Sequence, residues 1–157
     1  VEATVEPDFE ARIPETYVSN VAERLNLYSA LSAINDEEIL ESFTLELVDR
    51  FGDMPKAVRN LVWSVKLKIA AQNLYAEKVK TRDKEIFLYF NNNLGEEFYQ
   101  APTFGTIMSS VNQEPEHFSF KQGKNHLILS VKGFNDFRST LERIKELGSV
   151  ITHASSK

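Results

Sequence analysis

Apolar residues recur at helical spacing along the first half of the chain and in short alternating runs along the second. Ile13-Pro14 marks an entry turn, because a residue before proline is steered out of the helical region. Val18, Val21, Leu25 and Tyr28 then follow at spacings of 3, 4 and 3, with Leu27, Leu31 and Ile34 as a second stripe. Together they predict a helix of about 16 residues that buries a broad face and ends near Asn35. Asn35 or Asp36 is placed to cap a second helix, since a short side-chain oxygen satisfies a free N–H of the first turn. Glu37, Glu38 and Glu41 come next, favourable at the positive end of a helix. Leu40, Phe43, Leu47 and Phe51 supply its core stripe. Gly52 stops it, because glycine adopts the left-handed terminating conformation at little cost. Asp53-Met54-Pro55 opens a third helix, with Val58, Leu61, Val62, Val65 and Ile69 on its apolar face, running to about Leu74.

After Tyr75 the period shortens to 2. Glu77-Lys78-Val79-Lys80 alternates into a turn at Arg82-Asp83-Lys84, and Ile86 to Phe90 reads as a buried strand. Asn91-Asn92-Asn93 predicts a turn, and the stretch from Pro102 to Val111 a short helix. Phe118-Ser119-Phe120 and Leu127 to Val131 read as a hairpin joined through Gln122-Gly123-Lys124-Asn125. Phe134, Phe137, Leu141, Ile144 and Leu147 mark a closing amphipathic helix stopped by Gly148. Helices and strands come in blocks, so the expected class is α+β: a three-helix unit, then a mixed antiparallel sheet with two further helices. The expected organisation is a single domain over 1–157. Residues 1–12 form a strand or linker, 13–75 a helical subdomain, 76–150 an α+β subdomain and 151–157 a partly disordered tail.

Composition narrows the function classes. The 157 residues suffice for one domain or two small subdomains. There is no cysteine, hence no disulfide, thiolate metal site or cysteine nucleophile. No run is long enough to span a bilayer, the N-terminus lacks the features of a signal peptide, and there is no Asn-X-Ser/Thr sequon. The chain opens mid-pattern without an initiator methionine, as a segment of a longer protein would. Its 23 acids and 18 bases give a net charge of −5, unevenly spread. Residues 1–55 carry 13 acids and 3 bases, whereas 56–84 carry 2 acids and 8 bases. No reaction centre is evident. His117, His126 and His153 share no ligand spacing. Gly123-Lys124 sits in a hairpin turn rather than before a helix. Glu37, Glu38 and Glu41 read as a solvated helix start rather than an acid–base pair. No cofactor is expected.

The second predicted helix has two faces. At about 100° per residue, with Glu46 as origin, Arg50 falls near +40°, Asp49 near −60° and Asp53 near −20°. The core stripe lies between about +60° and +140°. Glu46, Asp49, Arg50 and Asp53 thus share an outer face, with Leu45 beside it at about −100°. An acidic surface with one arginine and an apolar neighbour suits docking onto a basic protein surface. The plainer alternative is a solvated face with a Glu46–Arg50 pair, worth a few tenths of a kcal/mol.

Three motifs on these elements carry a resemblance. They are Arg12-Ile13-Pro14-Glu15-Thr16-Tyr17-Val18, Glu23-Arg24-Leu25-Asn26-Leu27-Tyr28, and Glu46-Leu47-Val48-Asp49-Arg50-Phe51-Gly52-Asp53-Met54-Pro55. In this order the chain resembles the C-terminal (TRCF) domain of bacterial transcription-repair coupling factors, the Mfd family, strongly over residues 10–75. The resemblance implies a cytoplasmic bacterial parent, an ATP-driven DNA translocase that acts on stalled RNA polymerase and recruits UvrA in nucleotide excision repair. It implies a non-catalytic, monomeric regulatory domain that packs on the UvrA-binding module of the same protein and hides it until activation. Glu46, Asp49 and Arg50 match the family helix that faces that module. Arg24 and Tyr28 are expected to pack.

Two other readings remain open. Lys56, Arg59, Lys66, Lys68, Lys78, Lys80, Arg82 and Lys84, with Trp63 or Tyr75 nearby, make residues 56–84 a candidate nucleic-acid-binding segment, although overall acidity opposes it. A small-molecule regulatory site would require a polar pocket among residues 85–145.

Overall fold

In the computed structural model, residues 2–92 and 96–155 are described, with backbone only for 96, 97 and 149–155. The chain forms two compact units, residues 9–69 and residues 1–8 together with 70–157. The division falls inside a helix.

The first unit, 9–69, holds three helices: α1 (Val21–Ser32), α2 (Glu37–Phe51) and most of α3 (Lys56–Asn73). Helix α1 is shorter than its apolar spacing predicts. Val18, the first residue of its apolar stripe, is a buried loop residue. The N–H groups of Tyr17 and Val18 both donate to Pro14 O, making a turn. The Arg24 guanidinium then donates to Val18 O at 2.7 Å and Ser19 O at 3.0 Å, holding the loop open-ended before the helix. Asn20 starts the helix by accepting from Glu23 N at 2.9 Å. Of the two candidate caps of α2, Asp36 is the one used, its Oδ1 accepting from Glu38 N and Ile39 N. Gly52 ends α2 at φ 87°, its N–H donating to Val48 O at 2.8 Å. A side chain there would be strained.

Two apolar clusters fill this unit. Leu31, Ile34, Leu40, Val62, Val65 and Ile69 make one. Ile13, Val18, Leu27, Leu47 and Val58 make the other, with Phe43, Met54 and Leu61 packed against both. The predicted stripes of α2 and α3 are the ones buried. The first stripe of α1 is only partly buried. Val21 and Leu25 are exposed, and α1 buries only Leu27 and Leu31.

The second unit is built on a five-stranded sheet of order β1-β2-β3-β5-β4. Its strands are β1 (Thr4–Glu6), β2 (Lys78–Arg82), β3 (Glu85–Asn91), β4 (Phe118–Gln122) and β5 (His126–Val131). β1 pairs parallel to β2 and every other pairing is antiparallel, so the sheet is mixed. Period-2 alternation does the sorting: Val79, Ile86, Leu88, Phe90, Leu129 and Val131 are buried, while their neighbours along each strand face the other side. Asp8 fastens β1 into place. It accepts from the Thr81 hydroxyl at 2.7 Å and from Asp83 N at 2.6 Å.

Among the described residues three helices accompany the sheet: α4 (Glu96–Gln100), α5 (Pro102–Gln113) and α6 (Phe137–Ser155). The short α4 was not predicted. Five residues show no helical period, and among its described side chains Phe98 is buried. The closing helix does not stop at Gly148 but runs to Ser155, through the expected tail. Gly148 is buried within the helix, where an added Cβ would meet Asn73 at 3.6 Å. One glycine inside a helix costs only about 1 kcal/mol, less than flanking packing supplies. Part of the predicted Asn91-Asn92-Asn93 turn and the last two residues of the predicted tail lie outside the described residues.

Candidate protein-interaction surface

The motif residues of the first unit mostly hold that unit together. The Tyr28 hydroxyl accepts from Ile13 N at 2.7 Å. The Tyr17 hydroxyl donates to Gly52 O at 2.6 Å, and its ring lies tilted against Phe51, with centroids 5.8 Å apart. Partial burial, followed by the charge of Asp53, pushes the Tyr17 phenol above its ordinary pKa. The Ile13-Pro14 turn, the start of α1 and the end of α2 are therefore one hydrogen-bonded assembly that fixes the exit of α2.

That assembly aims the outer face of α2 at solvent. Leu45, Glu46, Asp49, Arg50 and Asp53 are all exposed, while Leu40 and Leu47 on the opposite side are buried. Arg50 does not pair with Glu46. Its guanidinium reaches Glu23 of α1 at 2.6 Å, with both side chains a little under half exposed, and lies 4.7 Å from the Phe51 ring centroid. A helical wheel of α2 alone could not reveal this partner, which lies on another element. Glu46 and Asp49 have no ion pair among the described residues, so their charge is directed outward. One contributor was missed. Ile39 is 57% exposed on the same face, and Leu45 is 67% exposed. Its place near +20° on the wheel, in line with Glu46, was the available signal.

In the basic segment 56–84, Lys56, Arg59, Arg82 and Lys84 are exposed, and several of the cations are engaged inside their own unit. Lys68 is buried and donates to Ser32 O at 2.9 Å. Arg59 donates to Met54 O, and the Lys66 ammonium sits 4.7 Å from the Trp63 ring centroid. On the sheet, Lys80 pairs with Glu6 and Arg82 with Glu85, and Lys78 lies over Tyr89.

The histidines remain dispersed. His117 Nδ1 lies 2.8 Å from Lys132 O, and the ring stacks on Phe134. His126 Nε2 lies 2.5 Å from Glu77 Oε1. The side chain of His153 lies outside the described residues. The hydrogen bond from His126, then that from Asn91, lowers the Glu77 carboxyl below its ordinary pKa. Among the described residues no cluster could hold a metal, and no helix is long and apolar enough to cross a membrane. An open cleft of about 420 Å³ is lined by Arg12, Ile13, Pro14, Glu15, Thr16 and Arg24, outside residues 85–145. Its arginines are engaged, Arg12 with Glu10 and Arg24 with backbone carbonyls.

Fold and surface define an α+β domain with an acidic helix face that carries two exposed apolar side chains. The family model described as the TRCF domain matches residues 8–101, and the chain belongs to that family. It is similar to the transcription-repair-coupling factor of Rickettsia bellii (strain RML369-C), 35% identical over 81 residues, covering 52% of this chain and 7% of that protein. It is also similar to that of Staphylococcus haemolyticus (strain JCSC1435), 29% identical over 133 residues, covering 80% of this chain and 11% of that protein. The chain thus spans about a tenth or less of these relatives. A crystal structure of the C-terminal domain of a transcription-repair coupling factor shares the fold, with TM-score 0.68 and 20% identity, covering 97% of this chain and 94% of that one.

Proposed function

We propose that this chain is a regulatory C-terminal domain of a bacterial transcription-repair coupling factor, and that the outer face of α2 packs on the UvrA-binding module of the same protein and masks it. The chain itself is non-catalytic. The ATP-driven DNA motor and the polymerase-binding parts lie elsewhere in the cytoplasmic parent, and the isolated domain is monomeric. The observation that carries the reading is the pair Glu46 and Asp49, exposed and without an ion pair among the described residues, on a helix whose exit is held by the family motif residues. Unmatched exposed acids seek a basic partner, and a contact of modest size suits a mask that must release. Arg50 ties α2 to α1 through Glu23 and remains exposed beside the acids on the same face.

The test is the double change Glu46→Ala and Asp49→Ala in the whole parent protein. UvrA capture should rise, while circular dichroism and melting of this domain stay unchanged. Unchanged UvrA capture by a folded variant would rule the masking out.

A further inference from the structure

Exposed ion pairs are screened and each gains a modest amount over hydration, so the acids supply only part of a docking surface's hold. The same face of α2 carries something better suited to holding. Ile39 and Leu45 are 57% and 67% exposed, although the other large apolar side chains of α2 are buried or half-buried. Isoleucine is also a mediocre residue for an exposed helical position, since branching at Cβ restricts its rotamers there. Neither side chain contributes to the apolar clusters of its unit. Both therefore leave apolar area in water with no local return.

Their placement relative to the acids is regular. Ile39 stands two turns from Glu46, on one line along the helix. Leu45 stands two turns from Glu38 and one turn from Asp49, on the neighbouring line, and exposed Ser42 lies between the lines. The six residues separating Ile39 from Leu45 span about 9 Å along the axis. The face is thus two apolar points set among carboxylates. Interfaces of this kind hold by apolar side chains seated in pockets, with a polar rim that excludes water and steers approach.

We infer that Ile39 and Leu45 are the anchors of this docking surface, and that its partner is a protein surface with two apolar recesses offset by about 9 Å along the axis of α2 and about 120° around it, bordered by lysine or arginine. This rests on the reading that α2 docks on another part of the parent. It does not depend on what that docking hides.

The chain has no cysteine, so an introduced thiol is the only one in it, and site-by-site mass spectrometry separates it from any cysteine elsewhere in the parent. Ile39→Cys and Leu45→Cys, made one at a time so that the other anchor remains, are labelled with a maleimide and read site by site by mass spectrometry. Ser29→Cys, at an exposed position of α1, is the control. In the isolated chain all three thiols should react freely. In the whole parent protein the thiols at 39 and 45 should react at least tenfold more slowly, with the control unchanged. Adding Leu45→Ser to the parent carrying the thiol at 39 should restore fast labelling. Equal rates in chain and parent would overturn the proposal, and so would protection that survives Leu45→Ser. Protection at both positions, combined with UvrA capture that ignores Glu46→Ala and Asp49→Ala, would leave the anchors standing and remove only the masking.

Discussion

The open side of the sheet and the outer side of α2 both carry exposed charge beside apolar groups, yet one is balanced and the other is not. On the sheet, Lys80 meets Glu6, Arg82 meets Glu85, and Lys78 lies over the Tyr89 ring. On α2, the arginine is used internally by Glu23, and Glu46 and Asp49 are left without a countercharge among the described residues. A surface that answers its own charges loses little by facing water. A surface that leaves acids and two aliphatic side chains unanswered is the better place to look for a partner. Residue counts point the other way, since the basic run 56–84 is the denser cluster. Pairing, rather than density, separates the two surfaces.

The comparison requires that α2 divide its work between its two sides. Leu47→Ala should cost about 3 kcal/mol, because it opens a cavity beneath a side chain that is 2% exposed. Leu45→Ala, two residues away, should stay within about 0.5 kcal/mol. Urea unfolding of the two variants measures the difference. A comparable loss at Leu45 would mean that its exposed side chain supports the fold, and the surface would lose its claim to spare apolar area.

A smaller effect should come from the assembly that holds the exit of α2. Tyr17→Phe keeps the ring against Phe51 but removes the hydroxyl that donates to Gly52 O. The loss should be about 0.5–1 kcal/mol, since the freed carbonyl can turn to water. A variant as stable as the parent chain would mean that the hydrogen bond is not what fixes the helix end.

Most of this architecture was legible where local rules act alone. The stripes of α2 and α3, the cap at Asp36, the stop at Gly52 and the hairpin of β4 and β5 all depend on neighbours close in sequence. The failures share a cause in distant contacts. Val18 has the spacing of a helix residue, but the Pro14 turn and the Arg24 guanidinium hold its backbone elsewhere. Arg50 has Glu46 at pair spacing and prefers Glu23. Gly148 looks like a stop and is a buried helix residue. At the surface, the outward set was readable from the wheel, and Ile39 was readable too.

Acid should find the sheet side first. The Glu77 carboxyl is lowered by its hydrogen bond to His126, and that of Asp8 is lowered because hydrogen bonds from Asp83 N and Thr81 outweigh its desolvation. A lowered folded pKa means that the stability is fully present above the unfolded carboxyl value. It is lost as the pH falls through the folded value. The loss should therefore appear below about pH 4.5, the ordinary value for Glu77. Glu77→Gln should lower stability at neutral pH and flatten the decline below that point, leaving the slope due to Asp8. Urea midpoints across the acid range check this, and a profile that keeps its full steepness would count against Glu77.

The smallest expected effect is also the most specific to the comparison. The wheel allows a Glu46–Arg50 pair, whereas the structure puts Arg50 on Glu23 at 2.6 Å. A double-mutant cycle on Glu23→Gln and Arg50→Gln should give a coupling of about 0.5 kcal/mol, appropriate to an exposed bidentate-capable pair and reduced by salt. The matching cycle on Glu46→Gln and Arg50→Gln should give none within error. Only the first outcome leaves Glu46 free to act on a partner. A coupling confined to Glu46 would mean that α2 neutralises its own face, as the sheet does, and the contrast between the two surfaces would disappear.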